Sequence, residues 1–157
     1  MGARTLGTIV SAGLMLAAAT AAAQTTERRV LTLEGAKRIA AAAEAEARKN
    51  QWNVAIAVVD EAGLLVHYLK IDDTQTASPE IAIGKARTAA MFRRPTKAME
   101  DTVAGGRAVV MTFPGAVPVQ GGLPLVSGGR VIGGIGVSGV QSHQDEIVAK
   151  AGADVLK

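Results

Sequence analysis

The stretch Gly128 to Gly139, GGRVIGGIGVSG, constrains the fold of this chain more than any other. Branched or small residues fall on alternate positions, Val131, Ile135 and Val137 on one parity and Ile132 and Ser138 on the other, as they do along a β-strand. It reads as the central strand of a sheet. Gly133, Gly134 and Gly136 interrupt it, and glycine inside a strand marks a place where a second backbone or a ligand comes close. The parity carrying Ile132, Gly134, Gly136 and Ser138 is therefore nearly bare. A bare face left in water contributes nothing to the fold, so a flat body is expected against it, either a helix or a planar molecule.

Gly134 to Gly139 also spells GxGxxG. The dinucleotide fingerprint needs those glycines in the turn after a strand, with a helix opening there and an acidic residue about 20 positions further on. Here they lie inside the strand, so nucleotide binding by this motif is not expected. GxxxxGK[ST] is absent as well.

Arg4, the apolar run from Leu6 to Ala19 and the small residues Ala21-Ala22-Ala23 before Gln24 have the charge, core and cleavage site of a secretory signal peptide. A membrane anchor would want a longer apolar span of about 20 residues. The expectation is a leader over residues 1–23 and one domain over 24–157, periplasmic or secreted and free of the membrane once cleaved. Cleavage removes Arg4 alone among the charged residues and lowers the net charge from +3 to +2. Nothing in that balance implies a nucleic-acid partner. With no cysteine, thiol chemistry, zinc-thiolate sites and covalent CxxCH haem attachment are excluded, and stability has to come from a packed core or from association.

Thr32 is a predicted N-cap, and Leu33, Ala36, Ile39, Ala40, Ala43 and Ala47 recur at helical spacing after it. Asn53 to Asp60 and Leu64 to Ile71 flank the short connection Glu61-Ala62-Gly63 and read as a hairpin, with Asp60 at its turn. Ser78-Pro79-Glu80 opens a helix expected to reach Phe92, where Lys85 beside an alanine stripe is expected to snorkel to solvent. A short helical piece is predicted from Thr96, then a loop to Gly122 with a short strand at Val109 to Met111. Leu123 to Val126 pairs with the central strand, and Ser142 with Asp145 suggests a capping box for a last helix. The order gives an α+β domain, a central antiparallel sheet of about five strands flanked by helices.

Only two histidines occur, His67 and His143, neither with a partner at metal-ligand spacing, and no GxSxG or serine-histidine-acid set stands out. AIAVVDEAGLLVHYLKIDD, SPEIAIGKARTAA, RRPT, GGLPLVSGGRVIGGIGVSG and QDEIVAKAG, in this order, resemble the GlcG/HbpS family of small haem-binding and haem-degrading proteins. The resemblance runs from Leu31 to the C-terminus. It implies a profilin-like α/β/α fold, self-association into homo-oligomers and, for secreted relatives, haem as cofactor; other relatives accompany glycolate or diol utilisation. Where relatives commonly carry an arginine-methionine-aspartate triplet, this chain has Lys70-Ile71-Asp72.

Haem iron takes His, Cys, Met or Tyr, which leaves His67, Tyr68, Met91, Met111 and His143. His67 is the chosen metal ligand, being on a strand near the glycine-rich surface of Gly134 and Gly136, with Arg93, Arg94 or Lys97 for the propionates. A second reading is a cofactor-free enzyme acting on a small oxygenated ligand, a hydroxy acid or diol-derived compound. There Asp60, Asp72 and Lys85 would gather near Gly136 to Gly139 as acid, base and anion clamp. A third is an oligomeric accessory protein without a ligand.

Overall fold

The computed structural model describes residues 26–156, so the expected leader lies outside the described residues. After a short arm come α1 (Leu33–Lys49), the hairpin β1 (Ala55–Asp60) and β2 (Leu65–Lys70), α2 (Ser78–Phe92), α3 (Thr96–Ala104), a second hairpin β3 (Gly122–Ser127) and β4 (Arg130–Ser138), and α4 (Ser142–Ala153). The strands form one antiparallel sheet in the order β2-β1-β4-β3. It has four strands among the described residues where about five were expected. The predicted strand at Val109 to Met111 is instead a 3-10 turn, Ala108–Thr112. Three apolar residues are too few to build a ladder, and their backbone bonds locally, Val110 N–H to the Arg107 carbonyl and Phe113 N–H to that of Val110.

The two faces of the sheet are unlike. Against α1 and α4 the sheet sets Ile56, Val58, Leu125, Ile135 and Val137, which with Ile39, Val148 and four alanines of α1 make the main core. Each fully buried Ile or Val there stabilises the fold by about 1.5–3 kcal/mol. Against α2 it sets Ala55, Ala57 and Val59 opposite Ala82, Ala86 and Ala90. Gly136 and Gly134 complete this thin side. A Cβ on Gly136 would overlap the Ala82 carbonyl oxygen, and one on Gly134 the Ala86 carbonyl oxygen. The flat body on the bare face is therefore helix α2. A register shift between Leu125 and Val126 leaves Ile132 as the extra residue of a bulge, and Ile132 turns to the α1–α4 core rather than to the glycine face.

Local signals decided the helix ends with small shifts. The Thr32 hydroxyl caps α1, accepting the Gly35 N–H at 3.1 Å. Leu33 is 52% exposed, and Leu31 packs on the core in its place. Ser78 is the first residue of α2 rather than its cap, since its side chain is buried against Ser138. The capping box of α4 is built by Gln141 and Gln144, which leaves Asp145 free for another partner.

Candidate functional site

Lys85 does not snorkel. It is 1% exposed, with its ammonium donating to Asp145 Oδ2 at 2.8 Å and to the Val137 carbonyl at 3.0 Å. The pair crosses the end of the sheet, joining α2 on one face to α4 on the other. Burial pushes the Asp145 carboxyl above the ordinary carboxylate value, against the opposing pull of Lys85 and of the Val140 N–H that its other oxygen accepts. Gly121 seals the pair: with φ +118°, its missing Cβ would sit 2.8 Å from Asp145 Cβ and 2.9 Å from Lys85 Nζ. Beside it the Thr96 hydroxyl accepts the Gly122 N–H at 2.9 Å. So enclosed, the pair ties the layers together.

The other two residues of the expected acid-base set lie elsewhere. Asp60 stands opposite Gly133, at the far end of β1 from the Ala55–Ser138 pair next to which Lys85 binds. Its carboxylate accepts the N–H groups of Ala62 and Leu64, both at 2.9 Å, so it shapes the hairpin turn. Asp72 is exposed in the turn after β2. Asp60, Asp72 and Lys85 thus form no common pocket. Lys85 projects from the middle of α2, while Asp60 and Asp72 stand at the turns after β1 and β2.

The expected haem constellation is also divided. Gly134 and Gly136 are covered by α2 and leave no room for a macrocycle. His67 pairs with Val58, so it faces the α1 side of the sheet, opposite to those glycines. A register shift between Val58 and Val59 puts Leu65 on the other face, separating it from His67 and Leu69. His67 is half-buried on edge strand β2, with no hydrogen bond or ion pair to the described residues. An unengaged imidazole on an open edge fits an axial ligand; the glycine face does not fit the ring.

Among the other candidates, Tyr68 packs on the α2 side, where burial and then the Glu80 carboxylate raise it above its ordinary value and disfavour the phenolate. Met91, Met111 and His143 are exposed. Arg94 donates to the Phe92 carbonyl, and Lys97 is paired with Asp101 along α3. Arg93 ends α2 in the left-handed conformation, φ 53°, and lines a surface cleft. What the sequence reading missed is the partner of Lys85. Ser78, Ala82, Lys85 and Ala89 are spaced four, three and four apart and all are buried, so the lysine shared the phase of the inward stripe.

Residues 31–154 match the family model described as haem degrading protein HbpS-like. Protein GlcG of Escherichia coli strain K12 is 44% identical over 109 residues, 69% of this chain and 81% of that protein. The crystal structure of a double mutant of Streptomyces reticuli HbpS superimposes with a TM-score of 0.80 at 35% identity, covering 85% of this chain and 92% of that one. A crystal structure of a PduOC–haem complex gives 0.75 at 26% identity, covering 82% and 96%.

Proposed function

Since this chain belongs to the HbpS-like family of haem-degrading proteins, we propose that it is an exported protein that binds haem, with His67 as the iron ligand. The observation that carries the assignment is the state of His67: half-buried on the α1 side of edge strand β2, its imidazole engaged by no described side chain or backbone group. It stands in a domain whose structural relatives include a protein crystallised with haem. Bound there, haem would supply an iron centre for ligand exchange or electron transfer. The protein's own part is to present one imidazole and to cover the ring from water. A sheet edge supports one side of a macrocycle only, so a second copy of the chain is proposed to close over the other.

Export rests on Arg4, the apolar run Leu6 to Ala19 and the alanines before Gln24. Titration of hemin into the purified protein should give a shifted Soret band that saturates, and His67→Ala should move or abolish it. A titration that only adds free-hemin absorbance would end the haem reading. A His67→Ala spectrum identical to the parent would end the ligand assignment while leaving haem binding in place. The enzyme reading draws no support from the geometry, because Asp60 and Lys85 are each engaged and lie at opposite ends of the sheet.

A further inference from the structure

At the end of β4 away from Lys85, four separate pieces of chain converge: the arm before α1, the β1–β2 turn, the end of α2 and the β3–β4 turn. Between them lies a cleft of about 440 Å³ lined by Thr26, Arg28, Arg29, Arg93, Arg130 and the single acid Glu61, among others. A neighbouring hollow of about 320 Å³ shares Arg28, Arg29 and Arg130 and is lined by Glu27 as well. The turn makes this approach feasible. Gly128 and Gly129 both have positive φ, 57° and 75°, and a Cβ on Gly128 would come within 3.0 Å of the Arg29 guanidinium. Arg29 therefore lies across the bare turn, on the same cleft as Arg130.

None of the four guanidiniums has a hydrogen bond or ion pair with a described residue. Arg48, Lys49, Lys97 and Lys150, by contrast, each have a carboxylate three or four residues away on the same helix or just past its end. The carbonyl end of α2 accounts for one nearby cation, Arg93. It does not account for Arg28, Arg29 and Arg130, which the arm and the β3–β4 turn bring in. Guanidiniums offer paired N–H donors that match the oxygens of carboxylate and phosphate, and several around one hollow reward a ligand with more than one such group. The cleft volume lies within the range of small-molecule sites.

We propose that this cleft binds a compact polyanion, a ligand carrying two or more carboxylate or phosphoryl groups, at a site separate from the haem seat. Calorimetric titration of citrate and of pyrophosphate at constant ionic strength tests it. Saturable binding is expected, weakened by about tenfold or more in Arg28→Ala and in Arg130→Ala. Arg94→Ala, just outside the cleft, should bind as the parent does. Tighter citrate binding identifies the ligand as a polycarboxylate, and tighter pyrophosphate binding as a phosphoryl compound. The proposal is overturned if neither anion saturates, or if Arg94→Ala weakens binding as much as Arg130→Ala, which would mean diffuse surface charge. Displacement of the bound anion by hemin would overturn it as a separate site. Since Arg28 and Arg130 are exposed, their variants should keep the parent circular dichroism, so loss of binding reads on the cleft itself.

Discussion

At the Ser138 end of β4, one lysine and one aspartate are buried against each other beneath Gly121. At the Arg130 end, four arginines surround a cleft that holds a single glutamate. The strand is the same; the solvent is not. At the closed end a charge out of water is tolerable only with its partner and a carbonyl at hydrogen-bond distance, so both members are committed to the fold. At the open end water and salt screen the like charges, so they can gather without a partner and remain free for a ligand. Charged side chains therefore carry different information according to which end of the sheet they occupy.

The sharpest way to break this contrast is to remove one member of the buried pair. Lys85→Met leaves the Asp145 carboxylate enclosed and should lower stability by about 3–5 kcal/mol in urea denaturation. Lys85→Met combined with Asp145→Leu should recover most of that loss. A single-variant loss below about 1 kcal/mol would place the pair among ordinary surface bridges.

Glycine substitutions at the two ends come next. Gly121→Ala drives a Cβ against the ion pair at positive φ and should cost roughly 2–4 kcal/mol. Gly129→Ala meets nothing within 4 Å and should cost only the left-handed backbone penalty, about 1–2 kcal/mol. Equal losses would mean that the closed end is no tighter than the open one.

The pH dependence is a smaller effect. Because burial raises Asp145, the folded chain holds that proton more firmly than the unfolded chain. Its contribution to stability is greatest below the unfolded carboxylate value and declines as pH rises through the raised folded value. The stability of the parent relative to Asp145→Asn should therefore fall as pH rises above the ordinary carboxylate range. The opposite slope would show that attraction to Lys85 outweighs burial. Smallest of all, Arg130→Ala should change stability by no more than about 0.5 kcal/mol, since it removes an exposed charge without a described partner.

Legibility followed the range of the forces involved. The apolar, β-branched run NVAIAVVD and the short turn at Gly63 made the first hairpin readable, and Thr32 capped the helix that its hydroxyl marked. Gly134 and Gly136 announced a close approach because a missing Cβ has few other uses in a strand. Which body came close was not written there: a helix and a planar ligand ask for the same vacancy. A register shift then redirected Ile132, because parity counting assumes an unbroken ladder.

The chain by itself determined its order of helices and hairpins, the close approach at Gly134 and Gly136 and its membership of a family, since these rest on spacing between neighbours or on blocks of residues in series. Tertiary structure alone decided that Lys85 meets Asp145, 60 positions away, that Asp60 stands at the far end of the sheet from that pair, that His67 faces away from Gly134 and Gly136, and that four arginines share one cleft. The reason is that burial and charge pairing depend on where distant segments are brought in space. A lone basic residue looks the same in the sequence whether it closes a core or waits at its rim.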